Sequence, residues 1–229
     1  NSQRPTANSQ QPTANSQQPT HMFQAQNLKF QYSAPVQFSF PDIDLQDGEH
    51  LLVIGPSGVG KTTLLHLLAR LLPPSQGRLI LNGQEYHALG NRQLDRFRGE
   101  QIGLVFQKPH FIAAINALEN LLMIQRLGKG RPDKVRAMQV LQALGIEDQA
   151  DKIPSKLSQG QQQRLCIAMA LVNQPKLLLA DEPTASLDDR NCERVIRLLQ
   201  SEAEKNQAHL IVITHDRRVK EHFDRALEL

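Results

Sequence analysis

The chain has 229 residues, 40% of them hydrophobic, which is enough for one large domain or for a core domain with a smaller attachment, and too short for a multidomain machine. No apolar run approaches the roughly 18 residues of a membrane-spanning helix, so we expect a soluble protein that meets a membrane only through a partner. The formal net charge is +3 and no long basic run occurs, which argues against nucleic acid as a partner.

The first 21 residues differ from the rest of the chain. Residues 1–20 repeat the unit NSQ-x-PTA and contain no large apolar side chain, so nothing in them offsets the entropy lost on ordering. His21 and Met22 then look like a cloning junction before an initiator methionine. We interpret residues 1–21 as an engineered leader or, alternatively, as a native disordered tail, and residues 22–229 as the folded domain.

Strand and helix patterns alternate along residues 22–229. Strands are predicted over residues 23–32, 36–40, 51–54, 79–81, 102–106, 177–180 and 210–214, with a further strand just before the last residue. Helices are predicted over residues 64–72, 117–126, 132–144, 159–172, 190–205 and 219–223. The run 51–54 is uniformly apolar, as in a parallel strand that is covered on both faces. The alternation predicts an α/β core with a parallel sheet, and the absence of a strand pattern from 108 to 158 predicts a helical lobe.

Only two cysteines occur in the chain, Cys166 and Cys192. Two are too few for a disulfide framework, and both fall within helical patterns. They predict reduced, buried thiols in a cytosolic protein.

A glycine-rich loop follows the apolar run 51–54 and fits the pattern G-x-x-x-x-G-K-[ST]. Its residues are Gly55, Pro56, Ser57, Gly58, Val59, Gly60, Lys61, Thr62 and Thr63. The glycines let backbone N–H groups turn toward phosphates, and the helix that begins near Lys61 adds the positive end of its dipole. Lys61 is expected to reach the β- and γ-phosphates of a nucleotide, and the Thr62 hydroxyl to bind Mg²⁺.

Two carboxylates follow the apolar run Leu-Leu-Leu-Ala at residues 177–180. A buried strand that ends in this way places Asp181 and Glu182 at the carboxyl edge of the sheet, where open α/β sheets bind ligands. Asp181 is suited to the Mg²⁺ shell and Glu182 to polarising the attacking water as a general base. Strands often end in acidic residues, so this motif alone is weak evidence of function. Its combination with the phosphate loop favours a functional role.

The segment Leu157-Ser158-Gln159-Gly160-Gln161 precedes a predicted helix. Ser158 and Gln161 have the spacing of a capping box, which by itself predicts only a helix start. A helix N-terminus with a serine and a glycine is also suited to an anion. Because it is far along the chain from the phosphate loop, it would need a second phosphate partner.

Together these motifs resemble the nucleotide-binding subunits of ATP-binding-cassette (ABC) transporters, and the resemblance spans residues 28–215. The L-S-x-G-Q signature is present, although Gln159 replaces the glycine most common at its third position. Gln107 matches the Q-loop glutamine, and His215 matches the switch histidine. Ser186, Leu187 and Asp188 match the D-loop. All elements occur in the family's order.

The resemblance implies a role for each matched position. Glu182, His215, Gln107 and Lys61 would carry catalysis, and Thr62, Gln107 and Asp181 would bind Mg²⁺. Nucleotide contacts would come from Tyr32, the phosphate loop 55–63, Ser158, Gln159, Gly160, Gln161 and Asp188. Tyr32 takes the position of an aromatic residue that stacks on adenine, with Phe30 as its rival and simple strand packing as the alternative.

The same resemblance implies the fold and the working state. The expected fold is a P-loop NTPase core with a mainly parallel sheet, an N-terminal antiparallel β part and an inserted helical lobe at about 108–158. Two copies would meet head to tail around two ATP molecules, with Mg²⁺ as cofactor, and hydrolysis would reopen the pair. The partners would be integral membrane permease subunits, which places the protein on the cytoplasmic face of the inner membrane.

Other functions share some of these motifs. A non-transport ABC ATPase acting in DNA repair or translation would need long inserts or two tandem cassettes, and the roughly 50 residues between Gln107 and Ser158 leave no room for them. A P-loop kinase would lack the signature and the switch histidine, and Glu182 disfavours an ATP-binding scaffold without turnover. Within the family, the chain is most similar to the small cassettes of lipoprotein release, macrolide efflux and cell division, with small-solute import as the runner-up.

Overall fold

The structure is a computed structural model that describes residues 22–33, 36–185 and 187–229. The leader predicted at residues 1–21 and the D-loop residue Ser186 lie outside the described residues. None of the helices in these residues has both the length and the hydropathy of a membrane span.

Ten strands and six α-helices make up the described part of the chain. The strands are β1 Phe23–Ser33, β2 Val36–Ser39, β3 Ile43–Leu45, β4 His50–Ile54, β5 Gln76–Leu81, β6 Gln84–Glu85, β7 Ile102–Val105, β8 Leu177–Asp181, β9 His209–Thr214 and β10 Ala226–Glu228. The helices are α1 Lys61–Leu68, α2 Asn91–Gln101, α3 Ala117–Lys129, α4 Lys134–Ala143, α5 Gln159–Leu171 and α6 Asp189–Lys205. Three 3₁₀ turns lie at Glu147–Gln149, Pro154–Lys156 and Arg217–His222.

Five of the strands form a wholly parallel sheet in the order β10-β4-β9-β8-β7. Val53 of β4 is opposite Ile213 of β9, and Leu179 of β8 is opposite Ile211. Parallel strands need crossover connections, and the helices between them supply these. All five strands therefore end at one edge of the sheet.

The other five strands form an antiparallel sheet, in which β1 pairs with β2, β3 and β5, and β5 pairs with β6. The hairpin between β5 and β6 turns at Asn82 and Gly83, both with positive φ. The predicted division into a mainly parallel core and an N-terminal antiparallel part is confirmed.

The parallel sheet is buried on both faces, which explains its uniformly apolar strands. On one face Leu51 and Val53 pack with the antiparallel sheet and with α1. On the other face Leu52 and Leu178 pack with residues of α3, α4, α5 and α6. Cys166 and Cys192 are free and buried, as predicted, and Cys192 belongs to this second core.

Several predicted boundaries are wrong. Helix α1 begins at Lys61, where the phosphate-loop motif predicts it, but it ends at Leu68 and not at residue 72, because Arg70 takes a positive φ of 54°. The predicted helix at 219–223 is a 3₁₀ turn, Arg217–His222. Strand β5 begins at Gln76, three residues before its apolar part.

Three elements have no counterpart in the sequence prediction: β3, β6 and α2. Helix α2 buries only Leu94 and Phe97 among eleven mostly polar residues, so its apolar stripe is too narrow to see. From Lys108 to Ser158 the described chain contains α3, α4 and two 3₁₀ turns and no strand, as expected. The boundary of a separate helical lobe stays a prediction.

Candidate active site

The glycine-rich loop joins the end of β4 to the start of α1. Gly58 and Gly60 take positive φ angles of 88° and 102°, which other residues adopt only at a cost. A Cβ atom at Gly60 would also lie 2.8 Å from the ring of Phe38. Glycine is therefore needed at residue 60 both for the turn and for the close approach of an aromatic side chain.

The side chain of Lys61 is buried and bends back over the loop. Its Nζ donates to the carbonyl oxygens of Gly55 and Pro56, at 2.8 and 2.9 Å. An ammonium group held at this point adds positive charge to the N-terminus of α1. The loop therefore presents a cation and a helix dipole on the same side, as an anion-binding loop does.

Two predicted metal ligands lie side by side. Thr62 Oγ1 donates to Asp181 Oδ1 over 3.4 Å, which joins the start of α1 to the end of β8. Burial raises the pKa of Asp181 because desolvation disfavours the charged form, and the hydrogen bond from Thr62 opposes that shift. A buried carboxylate next to a hydroxyl offers the oxygen ligands that Mg²⁺ prefers, so these residues fit the ion.

Glu182 contacts the predicted switch histidine directly. Its Oε1 lies 2.8 Å from His215 Nδ1, and its Oε2 accepts from Thr214 Oγ1 at 2.7 Å. The backbone of Glu182 has a positive φ of 48° and donates to the carbonyl of Ile213 at 2.8 Å. Such strained non-glycine residues cluster at active sites. The His215 side chain is 58% exposed, whereas the Glu182 side chain is largely buried beneath it.

The site lies at the common edge where the parallel strands end. A cavity of about 330 Å³ lies there. Its lining residues are Phe38, Ser57, Gly58, Gly60, Lys61, Thr62, Thr63, Gln107, Glu182 and His215. The four predicted catalytic residues thus line one cavity although they come from segments far apart in the chain. Asp181 adjoins it through Thr62, while Gly55, Pro56 and Val59 form the loop without lining the cavity.

Aromatic side chains stand next to the loop. Tyr32 is 59% exposed and its hydroxyl lies 3.2 Å from Thr63 Oγ1, whereas Phe30 is buried. Burial makes Phe30 a poor rival for contact with a base. Sequence reasoning missed Phe38, which lines the cavity and meets Tyr32 edge to face, with ring centroids 6.2 Å apart. The only sequence signal for Phe38 was that it is an aromatic residue within a predicted strand.

The signature segment lies away from this cavity. Ser158 and Gln161 form the predicted capping box of α5: Ser158 Oγ accepts from Gln161 N at 3.3 Å, and Gln161 Oε1 accepts from Ser158 N at 2.9 Å. Gln159, Gly160 and Asp188 line a second cavity, of about 570 Å³. In the described part of the chain, no signature residue lines the phosphate-loop cavity.

Asp188 has a structural task as well. Its carboxylate caps α6, accepting from the backbone N and the side-chain Nδ2 of Asn191 at 2.9 and 2.7 Å. These hydrogen bonds to the charged form lower the pKa of Asp188. The predicted D-loop residue is therefore an ionised N-cap.

A phosphate loop, a carboxylate pair and a histidine at the ends of parallel strands define a P-loop nucleotide hydrolase. Comparison with known families narrows this class, since residues 40–185 match the model of the ABC transporter family. The chain belongs to the ABC transporter family, as an ATP-binding subunit with ATPase activity.

Curated relatives and solved structures agree with that assignment. The chain is 39% identical to the lipoprotein-releasing system ATP-binding protein LolD 2 of Chlorobaculum tepidum, over 91% of this chain and 89% of the relative. It is 36% identical to LolD 1 of Chlorobium luteolum, over 91% and 94%.

Among solved structures, a dimeric bacterial ABC transporter cassette, MJ0796, aligns with a TM-score of 0.76 at 31% identity, over 90% of this chain and 94% of the other. The same cassette in a post-hydrolysis state with ADP and Pi gives a TM-score of 0.77. CbiO1 of Clostridium perfringens gives 0.81 at 27% identity, over 91% and 84%.

Proposed function

We propose that the chain hydrolyses ATP in a head-to-tail dimer and that this cycle drives a membrane permease. The observation that carries the hydrolytic part is the single cavity that gathers Lys61, Gln107, Glu182 and His215 from four separate segments. The family assignment supports ATP as the nucleotide.

The phosphate loop would hold the nucleotide. Backbone N–H groups at residues 57–60 and the Lys61 ammonium would bind the β- and γ-phosphates, and Lys61 would exchange its two carbonyl partners for phosphate oxygens. Tyr32, exposed beside Thr63, offers a ring face to adenine. Thr62, Asp181 and Gln107 would hold Mg²⁺, which when bound neutralises charge on the phosphates.

Glu182 would act as the general base. It would accept the proton of the attacking water, while Thr214 Oγ1 and the backbone N–H of His215 fix the orientation of its carboxylate. His215, more than half exposed, can turn from Glu182 toward the γ-phosphate. The strained backbone at Glu182 keeps the carboxylate at the mouth of the cavity.

A second copy of the chain would complete the site. Ser158 and Gln161 donate their N–H groups to each other's side chains in the capping box. The N–H groups of Gln159 and Gly160, in the first turn of α5 and away from the phosphate loop of their own chain, would bind phosphates held by another chain. Asp188 opens onto the same side, in the cavity that Gln159 and Gly160 line. The MJ0796 cassette, solved as a dimer, supports this arrangement.

A largely apolar groove of about 610 Å³ would receive the permease. The segment after β7 lines both sites: Gln107 faces the nucleotide cavity, while Phe106, Lys108, Pro109 and His110 line the groove. Leu127 on its rim is 72% exposed. A movement at the nucleotide would thus reach the groove through one short segment. The permease would bind this groove at the cytoplasmic face of the inner membrane.

Lipoprotein release is the transport role that the comparisons favour, since both curated relatives carry that name. Purification from native membranes tests it: a lipoprotein-releasing permease should copurify with the wild type and be lost with Leu127→Glu. The exposed control Gln93→Glu should retain it. Copurification of an unrelated permease would contradict the lipoprotein assignment alone.

Turnover is tested by the two carboxylates. Glu182→Gln should bind MgATP as the wild type does and lose turnover by about 10²–10⁴-fold, the usual range for a lost general base. Asp181→Asn should instead weaken the Mg²⁺ dependence of ATP binding. Calorimetry and phosphate release separate the two effects, and equal loss of binding in both variants would contradict this division of roles.

A further inference from the structure

Arg218 joins two loops of the site. Its Nε and one terminal nitrogen donate to both oxygens of Asp216, at 2.9 and 2.6 Å. Its other terminal nitrogen contacts the carboxylate of Asp189, the first residue of α6. The terminal nitrogen that bonds Asp216 also donates to the backbone carbonyl of Leu187 at 3.3 Å. One guanidinium thus links the loop after β9 to the loop before α6.

The anchored group, Asp216, directly follows His215. Its backbone N donates to Thr214 Oγ1 at 3.0 Å, and its Oδ2 accepts from Thr184 Oγ1 at 3.2 Å. Hydrogen bonds from Arg218 lower the pKa of Asp216 to about 2, so the carboxylate is ionised at neutral pH. Asp216 therefore holds both segments that carry the Glu182–His215 pair, because Thr184 lies two residues after Glu182 and Thr214 directly precedes His215.

We propose that Arg218 is a positioning residue for ATP hydrolysis. It holds the loop that contains His215 at a fixed position relative to residues 187–189. The inference rests on the proposed function, because residues 187–189 lie beside the surface offered to the second chain. Displacement of that segment would pull Asp216, and with it His215, through the guanidinium. A lysine cannot reproduce this link, since it lacks the planar fork that bonds two groups at fixed angles.

The rival explanation is an ordinary surface ion pair. Arg218 is 44% exposed, and exposed ion pairs contribute little to stability. Arg225 offers a matched control: it is equally exposed and bridges Glu49 to the backbone carbonyl of Asp44, away from the nucleotide cavity. The two arginines have the same type of contacts but different neighbours.

Steady-state ATPase kinetics on the full chain test the proposal. Arg218→Gln should lower kcat by about 10-fold, as a small displacement of a reacting group does, with KM and the Kd for MgATP within twofold of wild type. Arg218→Lys should recover only part of kcat, and Arg225→Gln should keep it. Unchanged kcat in Arg218→Gln, or full recovery by lysine, would overturn the proposal.

A double-variant cycle tests the link to α6. If Arg218 acts by joining Asp189 to Asp216, the single variant Asp189→Asn should lower kcat. Combining it with Arg218→Gln should lower kcat no further than Arg218→Gln does by itself. Additive losses would overturn the coupling. An inactive wild type would instead contradict the proposed function, so the two failures are distinguishable.

Discussion

The phosphate loop holds the Lys61 side chain in a buried position, through hydrogen bonds from its ammonium group to two loop carbonyls. Lys61→Ala should lower ATP affinity about 10- to 100-fold, because hydrogen bonds to charged groups contribute about 1.5–3 kcal/mol. The fold should persist, since the ammonium contacts only loop carbonyls. Calorimetry with Lys129→Ala, on α3, as control checks this, and wild-type affinity in Lys61→Ala would contradict the phosphate-loop assignment.

The low pKa of Asp216 predicts a pH-dependent contribution to stability. Because the folded-state pKa, about 2, lies below the ordinary value of about 3.9, the stabilisation is present above pH 4 and is lost as the pH falls toward 2. The difference in urea midpoint between wild type and Arg218→Gln should therefore shrink between pH 5 and pH 3. A difference that stays constant over this range would show that Asp216 is not its source.

Residue types at motif positions were predictable from sequence, whereas their surroundings were not. The sequence predicts Glu182 and His215 as functional residues, but not that they contact each other, because their pairing depends on strand order. Phe38 and Arg218 belong to no motif. Phe38 lies against Gly60 and Arg218 pairs with Asp189, and only the folded chain brings these distant residues together.

At the scale of elements, periodicity predicted the buried strands and missed α2. That helix packs closely against α3, where a Cβ atom on Gly99 would lie 2.6 Å from Gly128 Cα. Asn173 Nδ2 joins the two helices by donating to the carbonyls of Gly99 and Ile124, at 2.8 and 3.2 Å. Polar helices of this kind are held by a few close backbone contacts, which a hydrophobic pattern does not reveal.

Gly99→Ala should destabilise this contact. Overpacking costs about 1–3 kcal/mol, which lowers the midpoint of thermal unfolding by roughly 2–12 °C in a chain of this size. Gln93→Ala, exposed on the same helix, should change the midpoint little. Equal midpoints for Gly99→Ala and wild type, measured by circular dichroism, would show that the helices can separate without cost.

Under the proposed function, the whole molecule would carry two half-sites on one chain. The parallel sheet places the phosphate loop, Glu182 and His215 at one edge, while α5 begins at a separate cavity with Ser158 and Gly160. The sequence predicts both half-sites from their motifs. The family resemblance already implies a second copy, and the fold supports it because the two half-sites line separate cavities.

Ser158→Arg should block that assembly. A bulky side chain at the start of α5 would occupy the space for a phosphate bound by the other chain, while the phosphate loop of its own chain is untouched. Monomer affinity for ATP should stay within about twofold, and ATPase activity should no longer rise with protein concentration. Gln159→Gly should be milder, because the backbone N–H contacts do not need that side chain.

Light scattering on the Glu182→Gln protein, with and without MgATP, tests the central claim most directly. Blocked hydrolysis should trap the closed state, since ATP shifts the population toward the form that binds it more tightly. We predict a monomer without nucleotide and a dimer with saturating MgATP, and a monomer in both conditions for the Ser158→Arg, Glu182→Gln double variant. A Glu182→Gln protein that stays monomeric with bound MgATP at tens of micromolar would contradict the head-to-tail site.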